Sequence, residues 1–365
     1  MNSKIYLVRH TRTIGNDEHR LTGREDYEVT LEGKKYIDLL TKKLENIKFD
    51  SAYASTSKRT SKTIQKLADL NNIKITEYED LCEMYFGIYD GMKWSDVDKI
   101  NPTISKLHKK TNEIIEIPNQ ETTAEVANRM NKIMIKITYL EHSGFAVECD
   151  DYVLIFDYYK GNLPQFDKDK KICVFASHVH YDHFKKKIFT WAEEYENIHY
   201  ILSDDIEAAG PKDQTEHIGA DVDFNIWDLR IHTLKSTDEG VAFLVRVKEK
   251  TFFHAGDLNW WYWEEEDDET WNEPMRQAYQ KEIAKIEGEE IDYAFFPLDS
   301  RQGEESVLGI NYFMRHTNTK IIFPMHMWGY DILDKFLENS VSEPYRERIM
   351  KVKEPGQSFY FEEER

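Results

Sequence analysis

The sequence predicts a mixed α/β protein built from two modules, the second of which consists of two β-sheets with helices outside them. Three observations support this expectation. The chain has 365 residues, which is more than most single hydrophobic cores accommodate. Residues 1–133 carry 22 Lys and Arg against 21 Asp and Glu, whereas residues 134–365 carry 26 against 47. Short apolar segments separated by polar turns dominate the second part. We therefore expect two domains, residues 1–133 and 134–365.

The boundary between the modules lies in a helix that is followed directly by a strand. Residues from Thr123 to about Lys132 have apolar side chains at helical spacing, with Thr122 or Thr123 as the N-cap. After this helix, alternating or continuously apolar segments predict strands. They cover residues 135–140, 145–149, 152–157, 172–176, 199–203, 241–247, 251–254, 293–298 and 321–324. Helices are expected at residues 275–286 and 330–338.

Composition excludes several classes of protein. Hydrophobic residues make up 40% of the chain and aromatic residues 13%, which argues against disorder. Three distant cysteines, Cys82, Cys149 and Cys173, do not suggest a disulfide framework. The N-terminal apolar run is too short for a signal peptide, and no stretch approaches the roughly 20 apolar residues of a membrane span. We therefore expect a cytoplasmic protein that does not contact membranes.

The charge of the second module limits its partners. Acidic residues outnumber basic ones by 21 in residues 134–365, and this surplus repels polyphosphate backbones. Nucleic acid is therefore not an expected partner, and a small-molecule substrate is. The sequence leaves the oligomeric state open, and a homo-oligomer is compatible with it.

Three imidazoles and one carboxylate stand within six consecutive positions, shortly after the apolar segment 172–176. They are His178, His180, Asp182 and His183. Imidazole and carboxylate together suit zinc, manganese or iron, and a junction between strand and loop lets neighbouring side chains converge on one point. Asp257 and His326 each follow a later predicted strand. The first hypothesis is therefore a binuclear metallohydrolase.

These positions resemble the metallo-β-lactamase superfamily, in which H-x-H-x-D-H, a later Gly-Asp and a late His supply two adjacent metal sites. The resemblance is closest to the lactonase-like bacterial branch, covers roughly residues 134–365 and implies an αββα sandwich. It also implies how the ligands are divided. The first metal would take His178 and His180, the second would take Asp182, His183 and His326, and Asp257 would bridge both.

The resemblance further implies a cofactor of one or two divalent metal ions, with zinc expected first and manganese or iron as alternatives. Bound cations lower the pKa of a shared water from about 15.7 to near 7 and stabilise the oxyanion that develops. Asp182 would orient the hydroxide or pass its proton to the leaving group. The expected reaction is hydrolysis of an ester, lactone or phosphoester bond.

The first metal lacks an obvious third histidine. Members of the superfamily commonly place one just before the strand that begins near Val241, and Leu234 stands there instead. His232, Ser236 or Asp238 could take this role, or the first site could be weak or empty. The sequence leaves these alternatives open.

Other polar and aromatic residues have simpler interpretations. A lone histidine is usually a packed or surface residue. This interpretation applies to His142, His199, His217, His254 and His316. The aromatic segment 260–263 would form either a substrate wall or ordinary packing. Arg301 could hold a substrate carboxylate or phosphate, but a surface salt bridge is the expected role.

The first module opens with a predicted short strand, from Lys4 to Thr11, that ends at Arg9 and His10. An imidazole can carry a phosphoryl group while guanidinium groups neutralise its oxygens. Further short motifs follow along the chain. They are Asn16 and residues 31–33, 55–60, 81–91 and 119–122. Together these pieces resemble the histidine phosphatase superfamily, the phosphoglycerate-mutase-like proteins.

This second resemblance implies a partial three-layer α/β/α domain. It implies the following roles: His10 as nucleophile, Glu83 as proton donor, and Arg9, Arg59 and Asn16 as phosphate ligands. The family's second phosphate-binding histidine is missing, because the chain changes into the second module at about Met134.

The missing histidine sets the expectation for the first module. Losing one such electrostatic contact could lower the rate by about 10²–10³-fold. We therefore expect a truncated domain that is phosphate-binding or vestigial. The alternatives for the whole chain are an active phosphatase that works through His10 and a non-catalytic, metal-stabilised binding protein.

Overall fold

The computed structural model of the protein describes residues 6–102, 117–131 and 134–362. By its internal contacts the chain divides into two compact units, Met1–Met134 with Glu362–Arg365, and Ile135–Phe361. Within the described ranges, no helix combines the length and the apolar character needed to cross a membrane.

The first unit contains helices and a two-stranded parallel sheet. Its described helices are α1 (Ile14–Asp17), α2 (Leu31–Leu44), α3 (Lys58–Asn71), α4 (Trp94–Ile100) and α5 (Thr123–Asn131). Strands β1 (Ala52–Ser55) and β2 (Ile75–Tyr78) pair in parallel. Thr122 begins α5, because its hydroxyl accepts the N–H of Glu125 while the Glu125 carboxylate accepts the N–H of Thr122.

The predicted opening strand is not formed in its described part. Lys4 and Ile5 lie outside the described residues, and residues 6–11 form no strand. Leu7 is 95% exposed. An apolar run becomes a strand only where a neighbouring strand shares its backbone hydrogen bonds, and among the described residues of this unit β1 pairs with β2 alone. The prediction is therefore wrong for residues 6–11.

The second unit is built on two β-sheets, as predicted. One sheet has seven strands in the order β15-β3-β4-β5-β6-β7-β8, and the other has six in the order β14-β13-β12-β11-β10-β9. The strands of the seven-stranded sheet are β3 (Met134–Glu141), β4 (Gly144–Cys149), β5 (Tyr152–Phe156), β6 (Lys171–Ala176), β7 (Ile198–Ser203), β8 (Thr215–Ile218) and β15 (Ser358–Glu362). Those of the six-stranded sheet are β9 (Asp223–Ile226), β10 (Leu229–Lys235), β11 (Val241–Val247), β12 (Lys250–His254), β13 (Glu290–Pro297) and β14 (Asn318–Met325).

The main hydrophobic core lies between the two sheets. The ring of Phe145 in β4 lies 4.5 Å from that of Phe295 in β13, and Phe175 in β6 lies 5.2 Å from Phe243 in β11. All four side chains are buried. Burying an aromatic side chain of this size contributes roughly 1.5–3 kcal/mol. These contacts hold the two sheets face to face.

Helices cover the outer face of the six-stranded sheet. They are α6 (Glu273–Ile283) and α7 (Leu308–His316), and a further helix, α8 (Asp331–Glu338), follows β14. Side chains alternate along β13, so that Phe296 points away from the inner core and contacts Phe313 of α7 at 4.8 Å. On the other sheet, Ile188 and Trp191 from a short 3₁₀ segment pack against buried residues such as Val174. This layering agrees with the expected αββα arrangement.

All nine predicted strands of this unit are present, whereas β8, β9, β10, β15 and α7 were not predicted. Strands β8, β9 and β15 lie at sheet edges. The side chains of β8 and β9 are mostly exposed or half-buried. The alternation of apolar and polar residues that reveals a strand is therefore weak there.

Candidate metal centre and phosphate site

Six site residues of the second unit lie within three positions after the C-terminal end of a strand. They are His142 after β3, Asp157 after β5, His178 after β6, Asp257 after β12, Asp299 after β13 and His326 after β14. Strands β5 and β6 run parallel, as do β12, β13 and β14. Parallel strands place their C-terminal ends at one edge, which brings these residues together.

Two groups of possible ligand atoms form at this edge. The first group contains His178, His180 and Asp257, and the second contains His142, Asp182, His183 and His326. Within each group the ligand atoms lie within 4.8 Å of one another. All six residues that the sequence suggested as metal ligands therefore lie in these two groups, and His142 joins them.

The Asp257 carboxylate lies between the two groups. Its Oδ1 is 3.3 Å from Nε2 of His183 and 3.5 Å from Nε2 of His326. Its Oδ2 is 3.6 Å from Nε2 of His178. Ligands placed tetrahedrally at about 2.0–2.1 Å from a zinc ion lie about 3.3 Å apart, close to these separations. One oxygen thus faces each group, as expected of a bridging carboxylate.

Several of these atoms are buried without a hydrogen-bond partner. Among the described residues they include Nε2 of His142, Nε2 of His183 and Oδ1 of Asp257. An unsatisfied buried polar atom costs about 1–3 kcal/mol. A divalent metal ion would give all three a partner, so the residues present fit such a group.

Burial keeps three of the imidazoles, those of His142, His178 and His183, in the form that binds metal. It lowers the pKa of His142 to about 3 and that of His178 to about 2, and the pKa of His183 lies well below its usual value. These histidines are therefore neutral at pH 7 and have a lone pair to donate. Burial also raises the pKa of Asp257 to about 7, although His326 opposes this shift. A bound cation would stabilise the carboxylate and lower that value.

Two buried aspartates orient two of the candidate ligand histidines. Asp157 accepts hydrogen bonds from the Ser177 backbone N–H, from the Ser177 hydroxyl and from Nδ1 of His183, each at 2.7 Å. Asp299 accepts from Nδ1 of His326 at 3.1 Å. In both pairs the proton sits on Nδ1, and Nε2 is left to face the centre.

Left-handed backbone conformations occur at three residues of the centre. The φ angles are 55° at His142, 43° at Asp157 and 58° at His326. Each such conformation costs a residue with a side chain on the order of 1–3 kcal/mol. The backbone at the strand ends is therefore held in a conformation that the surrounding fold has to stabilise.

The third ligand of the first group is not His232. Nδ1 of His232 lies 2.9 Å from Asp223, and its side chain lines a separate cavity with Arg230 and Arg246. Leu234 is fully buried in the main core. In the loop that follows, Glu239 comes within 3.4 Å of Nε2 of His180.

Three residues of the centre were not predicted from the sequence. His142 was interpreted as an ordinary packed or surface histidine, and this interpretation is wrong, because His142 lies in the second group of ligand atoms. His254 was interpreted in the same way, and it is indeed a packed core residue whose ring stacks on Phe156. Asp157 and Asp299 were not identified as site residues. A local signal existed for all three, because each is a polar residue just after an apolar strand.

In the first unit, three of the predicted phosphatase residues lie near His10. Nδ1 of His10 lies 2.8 Å from the backbone oxygen of Thr11. The charges of Arg59, Arg9 and Glu83 all act on the imidazole, so these predicted residues lie near it. Burial lowers the pKa of His10, and both arginines lower it further. His10 is thus neutral at pH 7, with Nε2 available.

Two of the three predicted phosphate ligands, Arg59 and Asn16, make structural contacts. Arg59 is 2% exposed, and its two terminal nitrogens donate to the backbone oxygens of Glu25 and Gly23, while Nε has no partner among the described residues. Asn16 accepts hydrogen bonds from the N–H and hydroxyl of Thr13 at the start of α1. Arg59 therefore stabilises the loop that contains Gly23 and Glu25, and Asn16 stabilises the start of α1.

Two family profiles match the chain. Residues 5–147 match the histidine phosphatase superfamily (branch 1), and residues 136–270 match the beta-lactamase superfamily domain. Among curated proteins, phosphoserine phosphatase 1 of Hydrogenobacter thermophilus is 27% identical over 134 residues, which are 37% of this chain and 64% of that protein. Phosphoglycerate mutase-like protein 4 of Arabidopsis thaliana is 26% identical over 118 residues, or 32% of this chain and 51% of that protein. The chain thus spans less than two thirds of the length of these relatives.

Solved structures resemble each part. Igni18, a metallo hydrolase from the archaeon Ignicoccus hospitalis, is 18% identical with a TM-score of 0.47, and the likeness covers 63% of this chain and 100% of that chain. YhfR of Bacillus stearothermophilus is 26% identical with a TM-score of 0.31, and the likeness covers 33% of this chain and 60% of that chain.

The profile matches confirm both resemblances and the expected α/β fold class, and the second match supports the expected hydrolase class. Residues 5–147 of the chain therefore match the model of the histidine phosphatase superfamily (branch 1), residues 136–270 match that of the beta-lactamase superfamily domain, and the two matches overlap at residues 136–147.

Proposed function

We propose that the second unit is a metal-dependent hydrolase that acts on an ester, lactone or phosphoester bond of a small molecule. The observation that carries this proposal is the Asp257 carboxylate, whose two oxygens face two groups of ligand atoms. Bound divalent ions would supply a hydroxide at neutral pH and an electrostatic partner for the developing oxyanion.

Asp182 is the residue to which we assign proton transfer. Its side chain is 13% exposed, compared with 6% for Asp257 and 0% for Asp157. It is therefore the carboxylate of the centre that a substrate can reach most easily. From this position it orients the attacking water and passes a proton to the leaving group.

Zinc is the metal that the ligand set favours, with manganese and iron as alternatives. The two groups offer imidazole nitrogens and carboxylate oxygens, and no thiolate.

Cys82, Cys149 and Cys173 form no disulfide, which supports a reducing compartment such as the cytoplasm.

Metal analysis combined with a substrate screen tests the proposal. Protein reconstituted with zinc, manganese or iron is expected to hold one to two equivalents per chain and to hydrolyse members of a panel of esters, lactones and phosphodiesters. His183→Ala should lower both metal content and turnover. The control His217→Ala, at an exposed position outside the centre, should change neither.

Two outcomes count against a hydrolase. Less than about one equivalent of metal in the reconstituted wild type contradicts the metal centre. Full metal content without turnover on the whole panel favours a metal-stabilised binding protein instead.

For the first unit we propose phosphate binding with little or no catalysis. Binding is supported by the arginines near His10, whose Nε2 is free to face a phosphate group. Weak catalysis is supported by the extent of the match, because the chain aligns with only 64% of the length of phosphoserine phosphatase 1. The described part of the unit holds one other histidine, His19, and it is exposed. With one phosphate contact missing, turnover is expected about 10²–10³-fold below that of a complete enzyme.

Phosphomonoester hydrolysis in the presence of a chelator tests this second proposal. Inorganic phosphate should bind, as measured by calorimetry, and Arg9→Gln should weaken the binding. A fast, chelator-resistant activity that disappears in His10→Ala but survives in Asp182→Ala would instead show an active histidine phosphatase.

A further inference from the structure

Arg301 lies beside the metal centre through its bonds to Asp299. Its Nε is 3.0 Å from each Asp299 oxygen, and its Nη2 is 2.5 Å from Oδ2. Asp299 is fully buried and orients His326. The pair is therefore not the ordinary surface salt bridge expected from the sequence, because one partner is an internal part of the centre.

Two tryptophans hold the guanidinium group in place. The Arg301 Cζ atom lies 4.8 Å from the ring centroid of Trp328 and 5.8 Å from that of Trp263. Both distances fall within the range of cation–π attraction. The guanidinium is thus confined by aromatic rings as well as by Asp299.

The same aromatic rings adjoin the metal ligands. Trp328 lies 5.1 Å from the ring of His142. Trp263 stacks on Trp261 at 6.1 Å, and Trp261 lies 5.7 Å from the ring of His326. Arg301 and the rings beside it therefore form part of the rim of the metal centre.

One edge of the guanidinium remains available to a ligand. The hydrogen bonds to Asp299 use Nε and Nη2, and none of them uses Nη1. The Arg301 side chain is 50% exposed. A guanidinium edge with two N–H groups matches the paired oxygens of a carboxylate or phosphate.

The surrounding charge favours such a group for an anionic substrate. Residues 134–365 carry 47 acidic against 26 basic residues, so a basic side chain beside the centre lowers the repulsion that an anionic substrate meets. The charges of Asp257 and Asp182 raise the pKa of Arg301, after the larger effect of its hydrogen bond with Asp299. Arg301 therefore lies within electrostatic reach of the ligands.

We propose that Arg301 determines specificity by binding a second, non-reacting anionic group of the substrate, a carboxylate or a phosphate, at the rim between Trp263 and Trp328. This proposal rests on the hydrolase function proposed above. It narrows the substrate class to small anionic esters, lactones or phosphoesters.

Two matched esters test the proposal. One is a neutral aryl ester, and the other is the same ester with a carboxylate on its acyl chain. Arg301→Gln should lower the ratio of the two kcat/KM values, anionic over neutral, by about 10–100-fold. Arg301→Lys keeps the charge but not the planar edge, and should give an intermediate ratio. The control Arg276→Gln breaks a partly buried arginine–carboxylate pair in α6 that lies outside the centre and should leave the ratio unchanged.

The ratio of the two kcat/KM values distinguishes a role of Arg301 in substrate specificity from a role in positioning Asp299. If Arg301 only positions Asp299 and His326, its loss slows both esters equally, and an unchanged ratio overturns the proposal. Metal content, measured for every variant, shows whether the centre itself is damaged.

A binding experiment decides the case in which the wild type hydrolyses neither ester. That result counts against the proposed hydrolase, but it does not bear on Arg301. Calorimetry with metal-loaded protein then compares succinate, which has two carboxylates, with butyrate, which has one. Arg301→Gln should weaken succinate at least tenfold more than butyrate, and an equal loss for both overturns the proposal.

Discussion

The backbone N–H of His326 donates a hydrogen bond to the backbone oxygen of His142 at 3.2 Å. His142 follows β3 in one sheet and His326 follows β14 in the other. The two imidazole rings lie 4.2 Å apart. The second group of candidate metal ligands is therefore assembled from both sheets and depends on their packing.

Removing the His142 imidazole should weaken metal binding by the second group. In His142→Ala we expect at least a tenfold loss of affinity, because a buried, neutral nitrogen with no other partner among the described residues is lost. Competition with a chromophoric chelator measures the affinity. His217→Ala is the matched control, and an unchanged affinity in His142→Ala would show that this histidine is not a ligand.

The two metal sites should differ in affinity. The second group offers four side chains and the Oδ1 atom of Asp257, whereas the first offers two imidazoles and the other Asp257 oxygen. Calorimetric titration of metal-free protein should therefore show one tight equivalent and one weaker equivalent. His180→Ala should remove the weak phase, and His183→Ala should remove the tight one. A single phase of two equal equivalents would contradict this assignment.

Gly240 should be required for the first group of ligands. Its φ angle is 69°, and a Cβ at this position would collide with the Ser177 backbone oxygen and lie 2.6 Å from the Cβ of His178. Gly240→Ala should therefore displace His178, weaken the first metal site and lower the free energy of unfolding. Chelator competition and urea denaturation measure the two effects.

A second glycine provides the control for Gly240. Gly288 has a φ of 73°, and a Cβ there would meet nothing within 4 Å. Gly288→Ala should therefore show only the cost of the left-handed backbone, about 1–2 kcal/mol, with no change in metal binding. If the two variants behaved alike, the collision with Ser177 and His178 would not matter.

Alkylation of Cys82 in the first unit should begin at lower pH than for an ordinary thiol. Burial raises the pKa of Cys82, but hydrogen bonds with Thr56 and Ser57 and the charge of Arg24 outweigh this effect and lower it. Because the thiolate is the nucleophile, the rate rises with pH through the thiol pKa. Complete burial raises the pKa of Cys173, so that residue should not react.

The Thr56 hydroxyl, 3.2 Å from the Cys82 sulfur, is the contact to remove. Thr56→Val should shift the midpoint of the iodoacetamide rate profile to higher pH, as followed by mass spectrometry of the modified peptide. Thr41→Val is the control, because its hydroxyl bonds within α2. An unchanged midpoint in Thr56→Val would mean that the hydroxyl does not stabilise the thiolate.

Local patterns predicted much of the second unit. Strands such as β5, β6 and β11 are buried along nearly their whole length, so they appear in the sequence as continuous apolar runs. The opening segment shows the limit of this reasoning. Residues 6–11 include the apolar run from Tyr6 to Val8 but form no strand, because a strand also needs a partner, which an apolar run does not specify.

The sequence by itself determined the cluster of candidate ligands from His178 to His183, because its residues are neighbours along the chain. Tertiary structure alone decided that His142 joins them and that His232 does not. The physical reason is strand pairing. Which strand ends share an edge depends on the order and direction of strands in two packed sheets, and the side-chain pattern of any one strand carries no record of that order.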